Sequence, residues 1–459
     1  YEEDDNMKGL RYGKVMIMTD QDHDGSHIKG LLINFFEHFW PNLLKKEGFL
    51  QQFVTPLVKA FKGSNVQSFY SMHEFQQWQQ SLPNGDTKGW RIKYYKGLGT
   101  STAQEAKEYF SNLDMHRKLF VTTGQEHDVI DKVFNKHRAA DRRQWIEDYA
   151  SINDESARFI DPTQSNVTYE EFIDRELIHF SNADNVRSIP HVIDGLKPSQ
   201  RKVLFGCFKR KLMQEMKVVQ LAGYIAEHTA YHHGEASLHS TIVNMAQDYV
   251  GSNNVPLLVP SGQFGTRFQG GKDFASPRYI FTRLSPIARL LFPEADDALL
   301  EYLEEDGQRV EPTHYVPIIP FLLVNGCAGI GTGWSTSIPS YDPLAIIHVI
   351  REMLRGNNDP MALSTMEPLV PWTRGFKGSI MASDISDSFI SRGKIDRVKP
   401  TMVRITEIPI GRSGSDYKDT LHKLIEQGIV KAYREGHTST TIRFEAVSTR
   451  ATFDAMESS

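Results

Sequence analysis

The apolar positions between Val15 and Asn112 switch repeatedly between two periods. Val15-Met16-Ile17-Met18 is a short apolar run, which predicts a buried strand. Ile28, Leu31, Leu32, Phe35 and Phe39 then recur at helical spacing, with Ser26 as the expected cap and Pro41 as the stop. Strand-like runs follow around Phe53–Phe61, Val66–Tyr70 and Arg91–Tyr95. His73–Gln80 and Thr102–Asn112 read as helices, the second opened by a Thr102/Glu105 capping box. This alternation predicts an α/β sheet with covering helices.

From Glu126 to Tyr149 the chain is polar and helical, and Ser151 to Val167 has the Ser, Asn, Asp and Pro content of a linker. Thr168 and Glu171 form another capping box ahead of Phe172, Ile173, Leu177 and Ile178, where a new domain is expected to start. Helices are predicted near Gln200–Leu212, Val218–His228 and Ser237–Tyr249, then a Gly-rich stretch from Gly262 to Lys272 and a helix around Pro286–Phe292. Three compact helices followed by a Gly-rich, strand-prone excursion suit a winged helix-turn-helix. A strand-like Phe321–Val324 leads into a second Gly-rich turn. Beyond Tyr341, a helix at Leu344–Leu354 and β-like segments at Gly378–Met381 and Met402–Ile408 predict a mixed domain. The expected fold class is multidomain α/β and α+β. Its parts are a partial metal-binding α/β domain (1–122), a helical insertion and linker (123–166), a winged-helix domain (167–305) and an incomplete mixed α/β domain (306–459).

Composition narrows the function classes. With 40% hydrophobic and 24% charged residues over 459 positions, the chain is a globular protein of several domains. A net charge of −5 excludes a uniformly basic nucleic-acid coat but leaves room for a local basic surface. Cys207 and Cys327 are too few for a disulfide scaffold or a four-thiolate zinc site, and they fit a reducing compartment. The longest apolar runs, such as Val316–Val324, are broken by Pro317 and Pro320, so no membrane partner is expected. The opening Tyr1-Glu2-Glu3-Asp4-Asp5 is neither a signal peptide nor a methionine start, and the chain is expected to be a piece of something larger.

Asp20-Gln21-Asp22-His23-Asp24-Gly25 follows the first strand directly. Three carboxylates at alternate positions of an extended segment lie on one side, close enough to share divalent cations. The same residues match the first half of a calcium-binding loop, but position twelve is Leu31 and the preceding segment is strand-like, so that reading is rejected. A solvated acidic turn is the alternative. Tyr279 stands in Pro277-Arg278-Tyr279, with Arg267, Lys272 and Arg283 nearby in sequence. Such company could lower a phenol's pKa and hold a phosphate, and phenolate attack on a phosphodiester would give a phosphotyrosine ester. The alternative is a plain backbone contact with Tyr279 only packing. From Lys197 to Lys217, Lys197, Arg201, Lys202, Lys209, Arg210, Lys211 and Lys217 face Glu215 alone, a credible phosphate-binding stretch or else a solvated cationic helix.

Tyr231-His232-His233-Gly234-Glu235 lacks the later Cys pair of a zinc deaminase and the His spacing of a zinc protease. Phosphate contact, help with proton transfer, or capping remain. Gly326-Cys327-Ala328-Gly329-Ile330-Gly331-Thr332-Gly333 is followed by Pro339 and Pro343, which leave no room for a dinucleotide-binding helix. A tight turn that exposes Ile330 is the better reading, and an exposed apolar residue near DNA can wedge a base step.

Four motifs in this order resemble a type IIA DNA topoisomerase of the eukaryotic kind. They are Ile17–Gly30, Tyr94-Tyr95-Lys96-Gly97-Leu98-Gly99-Thr100, Tyr231–Glu235 and Pro277–Tyr279, and the resemblance is strong from Leu10 to about Asp342. It implies a Toprim metal-binding α/β domain, a winged helix and a Tower-like domain. Asp20, Asp22 and Asp24 would be the Mg²⁺-binding carboxylates and Tyr279 the nucleophile that becomes linked to a DNA 5′ end. Arg278 would steady the phosphoryl transition state, Arg201 and His233 would contact the scissile region, and Ile330 would intercalate. Lys197, Lys202, His232, Arg267 and Lys272 are the further expected DNA contacts. The resemblance also implies a homodimer on double-stranded DNA, a nuclear location, and ATP used only by a domain outside this chain. The family's Glu-Gly-Asp-Ser motif has no counterpart here, and Ala328 stands where many relatives have an acidic residue. The rival expectation is a non-catalytic DNA-binding and DNA-bending homodimer fragment.

Overall fold

The computed structural model describes residues 9–458 except 96, 232, 306–307, 357–367 and 386–387. The chain divides into two compact units. One runs to Val186 and takes in Ile330–Ser335; the other comprises Arg187–Gly329 and Thr336–Ser459.

In the first unit the strands Val15–Met18, Leu50–Phe53, Arg117–Val121 and Asn166–Thr168 lie side by side in that order. They pair parallel, antiparallel and parallel. Ile17, Leu50, Phe120 and Val167, one from each strand, share a core with Ile33, Ile130 and Trp145 of the helices His23–Phe39, Glu126–Phe134 and Ala139–Ala150. A satellite sheet of Asn65–Phe69, Val58–Lys62 and Arg91–Tyr94 is antiparallel throughout and packs Val58, Ala60 and Phe69 with Phe75 of the helix Met72–Ser81. The expected single run Phe53–Phe61 is thus two strands in two sheets, separated at Pro56, which cannot donate to a ladder.

Both capping boxes form, Thr102 with Glu105 and Thr168 with Glu171. The second does not open a new domain. Asn166–Thr168 is the fourth strand of the first sheet, and Tyr169, Phe172, Ile173, Leu177 and Ile178 are buried in the first core. The boundary expected at 167 therefore lies at Val186, and the segment 123–166 supplies core residues such as Val129 and Ile146 rather than a linker.

The helix expected to start after Ser26 begins at His23, with Asp22 as its cap. Its buried face is Gly25, Ser26, Lys29, Gly30 and Ile33, whereas Ile28, Leu31, Leu32, Phe35 and Phe39 are exposed, Phe39 at 57%. The apolar stripe thus points away from the core. Lys29 can be buried because its ammonium pairs with Glu176 and donates to Gln52 Oε1 at 3.0 Å. Val15–Met18, expected to be buried, is an edge strand with Ile17 inside and Met16 and Met18 exposed.

In the second unit the helices Pro198–Lys209, Val218–His228 and Glu235–Ala246 pack on an antiparallel sheet of Met216–Lys217, Phe281–Leu284 and Leu258–Ser261. This is the expected winged helix. Gly206 lets the first two helices approach, since a Cβ there would lie 2.7 Å from the Ile225 side chain. The core of Val203, Leu221, Ile225, Ile242 and Leu284 continues through Tyr315, Phe321, Val324 and Ile346. The winged-helix core therefore runs past the expected boundary at 305. Phe321–Asn325 is a short helix, not a strand, started by Pro320 at its N-cap. A separate core of Ile405, Leu421 and Phe444 lies between the helix Gly414–Glu426 and an antiparallel sheet ordered Lys394–Lys399, Met402–Glu407, Phe444–Val447 and Ala432–Glu435. Among the described residues no helix is long and apolar enough to cross a membrane.

Candidate functional site

In the first unit, chain direction at the end of the edge strand sets the acidic turn. Asp22 Oδ1 accepts from the Gly25 N–H at 2.7 Å, closing the first turn of the helix. A side chain at Gly25 would put Cβ 1.9 Å from the Asp20 carbonyl oxygen, so the turn requires glycine. Asp20 Oδ1 in turn accepts from the Leu98 N–H at 2.7 Å, and a Cβ at Gly97 would meet the same carboxylate at 3.1 Å. Two of the sequence motifs therefore meet at one carboxylate, although Lys96 lies outside the described residues.

Among the described residues no group of three or more His, Cys, Asp or Glu side chains is placed to hold a metal ion. The expected cluster of Asp20, Asp22 and Asp24 does not lie on one extended segment. The extended geometry it relied on ends at Asp22, and Asp24 is carried into the first helical turn, where its charge suits the helix dipole. Asp20 and Asp22 remain as exposed hard-oxygen donors at a strand end. Such a pair suits Mg²⁺ completed by water and phosphate better than a closed protein cage.

In the second unit, the loop carrying Tyr279 is held from below. The first two amides of the helix Val218–His228 have no intrahelical acceptor, and they donate instead to the carbonyls of Ile280 (Val218, 3.0 Å) and Pro277 (Val219, 3.2 Å). The Tyr279 N–H closes a turn onto the Ser276 carbonyl at 2.9 Å, and Ile280 is buried. Between these anchors Tyr279 is 70% exposed, with the Arg278 guanidinium 5.9 Å from its ring centre. Arg278 and Lys272 are exposed as well, and Arg283 is half-buried on the neighbouring strand.

Three cations expected at DNA are instead committed within the second unit. Arg201 is buried and donates to both oxygens of Asp194, at 2.8 and 3.1 Å, and to the Leu196 carbonyl. Asp194 is fully buried and also accepts from the amides of Leu196 and Tyr315. Lys202 donates to the Thr229 carbonyl at 2.7 Å and pairs with Glu305 and Glu311. Burial is the main reason the Glu311 carboxyl is pushed up, against the pull of Lys202. Arg267 is buried against Glu407 and the Ile408 carbonyl. These corrections share a cause: each cation meets a carboxylate brought from elsewhere in the chain, and buried cations are kept only when so paired.

Lys197 is half-buried at the start of its helix, where its N–H donates to Gln200 Oε1 at 2.9 Å. His233 is exposed, its ring edge-on to Tyr231 at 5.4 Å, while His232 lies outside the described residues. His233 follows Ala230, whose φ of 47° is left-handed backbone that only glycine adopts without cost. Ile330 is 82% exposed, as its Gly-flanked turn predicts. That turn is closed by Gly331 N–H to the Trp334 carbonyl at 2.9 Å and clasped by Asn185, which donates to the Thr332 carbonyl at 3.1 Å. Sequence reasoning missed Asp194, whose turn-forming Asp194-Gly195 just before the basic helix was the available signal. It also missed the amides of Val218 and Val219, which carry no side-chain signal at all.

The DNA gyrase/topoisomerase IV family model, that of the A-type subunit, matches residues 187–458. The chain belongs to the type IIA DNA topoisomerases. A second family model, the C-terminal associated domain of TOPRIM, matches residues 53–185, so the two matches divide where the two compact units do. Among topoisomerase relatives, DNA topoisomerase 2, mitochondrial, of Dictyostelium discoideum is 52% identical over 458 residues, covering 100% of this chain and 34% of the relative. DNA topoisomerase 2 of Arabidopsis thaliana is 55% identical over 426 residues, covering 92% and 28%. The chain thus spans about a third of the length of these topoisomerases. The solved DNA-binding, cleavage and re-ligation domain of Plasmodium falciparum topoisomerase II superposes with a TM-score of 0.74 at 47% identity, covering 99% of this chain and 60% of that one.

Proposed function

We propose that this chain is the DNA breakage-and-rejoining core of a type II topoisomerase, with Tyr279 as its nucleophile. The observation that carries the reading is a phenol 70% exposed on a loop fixed at both shoulders by helix amides. The phenolic oxygen attacks a backbone phosphorus of duplex DNA. The new O–P bond forms as the bond from phosphorus to the 3′ oxygen breaks, the phenol gives up its proton and the 3′ oxygen gains one. A 5′-phosphotyrosine ester and a free 3′-hydroxyl result, and reversal reseals the strand. Arg278 offers its charge to the phosphoryl oxygens, and His233 contacts phosphate or moves the proton. Lys272 and Lys197 contact the backbone, and Ile330 wedges a base step. Asp20 and Asp22 would hold Mg²⁺, which supplies positive charge to the phosphate when bound. In the longer protein the chain would act as a nuclear homodimer, with ATP-driven duplex passage supplied by other domains.

The test is Tyr279→Phe. The variant is expected to bind duplex DNA within about twofold of the parent, since only a hydroxyl is lost, and to leave no denaturant-resistant protein–DNA adduct. Adducts that persist in the variant overturn the assignment. The DNA-bending alternative draws on the exposed Ile330. It expects salt-sensitive binding with no nicked or linear plasmid under any divalent metal, so a parent chain that behaves so sinks the cleavage reading for this chain.

A further inference from the structure

Within the first unit a cavity of about 480 Å³ opens beside the acidic turn, of a size that holds small organic ligands. One wall is a run of near-parallel rings. His73 stacks on Phe159 at 5.1 Å, Phe159 on His179 at 4.8 Å, and His179 on His23 at 6.1 Å, with interplanar angles of 13°, 13° and 23°. Val54, Leu57, Met72 and Ile160 add apolar surface.

The lining carries four carboxylates, Asp22, Glu74, Asp161 and Glu176, and three fixed cations, Lys118, Arg158 and Arg175. Asp22 accepts from the Gly25 amide, Glu74 from the amides of Tyr70 and Ser71, Asp161 from Thr163, and Glu176 from Ser26 while it pairs with Lys29. Arg175 pairs with Glu171 at 4.0 Å, which leaves two cations whose hydrogen bonds go to carbonyls. Among the described residues Lys118 is met by the carbonyls of Pro162 and Gln164, Arg158 by the Ile152 carbonyl at 2.7 Å, and neither has an ion pair. The Arg158 Nε–H is buried and meets no acceptor. A buried, unpaired guanidinium donor is rare enough to call for a ligand, and beside a wall of rings its complement is an anion attached to a flat apolar body.

We infer that this cavity binds a small aromatic anion, with its acid group at Arg158 and Lys118 and its ring system against the His73–Phe159–His179 wall. The inference does not depend on the cleavage reading, because it needs neither Tyr279 nor DNA. Because Asp22 also lines the cavity, an occupant would lie against one of the two carboxylates proposed to hold Mg²⁺.

The experiment is calorimetric titration of the chain with 2-naphthoate, using 2-naphthamide as the neutral isostere and acetate as the anion without a ring. The naphthoate is expected to bind at least about tenfold more tightly than either control, the weight of one charge-assisted hydrogen bond. Arg158→Gln is expected to erase that preference and Phe159→Leu to weaken the naphthoate, with unchanged thermal midpoints in the absence of ligand. Equal binding of the amide overturns the anion site, equal binding of acetate overturns the aromatic wall, and no binding by a folded chain overturns both. If Arg158→Gln fails to fold, the parent chain decides the same question. There 2-naphthoate, but not acetate, is expected to protect Arg158 from a guanidine-modifying dicarbonyl, and equal modification with and without it overturns the site.

Discussion

The Val219 N–H donates to the Pro277 carbonyl at 3.2 Å, so the first turn of one helix fixes the loop on which Tyr279 stands. Val218 does the same for Ile280 on the far side of the tyrosine. Free helix amides normally hold a capping side chain, water or an anion. Here they hold a loop, and the exposed phenol is thereby aimed without being packed.

Removing one of these amides should loosen the loop. Val218→Pro keeps a residue suited to the first helical position while deleting the donor to Ile280. Trypsin cleavage after the exposed Arg278 is expected to speed up by about tenfold, the effect of one lost hydrogen bond on local opening. An unchanged cleavage rate means the amides do not hold the loop.

Gly25→Ala tests the acidic turn. The new methyl would overlap the Asp20 carbonyl, so the turn must open, at a cost of about 2 kcal/mol or more in chemical denaturation of the chain. Asp20 and Asp22 move with it, and any Mg²⁺-dependent DNA cleavage is expected to be lost before the winged helix unfolds. Full stability in this variant contradicts the packing described.

Arg201→Ala should act through stability. It strands the fully buried Asp194, which keeps only its amide donors, and a broken buried pair costs about 3–5 kcal/mol. Urea unfolding of the second unit is expected to show that loss, and DNA binding measured well below the new midpoint should change little. A variant with parental stability and lost DNA binding would return Arg201 to a direct contact.

His116 gives a pH dependence with a definite sign. Its Nδ1–H donates to the Val54 carbonyl at 2.8 Å, and burial, followed by Lys59 and Lys118, holds its pKa below the ordinary imidazole value despite Val54 and Glu108. The unfolded chain therefore takes up the proton first as pH falls. The stability from this residue is full above about pH 6.5 and is lost as pH drops through the lower folded value. His116→Phe is expected to flatten the decline of the first unit's stability on the acid side of neutrality. An unaltered slope assigns the decline to other groups, the similarly buried His179 first among them.

What was legible in the sequence was local. Thr102 with Glu105, Thr168 with Glu171 and the helix Val218–His228 depend on neighbours within one turn, and they form as written. Ile330 was readable because glycines on both sides force a tight turn whose tip has nothing to pack on. Charge was not readable. A count of basic residues along the sequence cannot show that Glu311 waits for Lys202, and Glu407 for Arg267, across more than a hundred positions. The helical period of Ile28, Leu31, Phe35 and Phe39 correctly predicted a helix but not which side faces inward, since Gly25, Ser26 and Gly30 allow closer packing than the stripe itself.

That outward stripe lies on the helix that follows directly from the edge strand Val15–Met18, whose Met16 and Met18 are also exposed. An open ladder edge followed by aromatic and aliphatic side chains is a colloidal liability in water. Handled as this length of chain, the protein should be more prone to self-association as concentration rises, through a surface that holds neither Tyr279 nor the acidic turn. Salt would strengthen that contact while it weakens any hold on a nucleic acid. The buffer that keeps the chain dispersed is therefore also the one that would favour any binding to a nucleic acid.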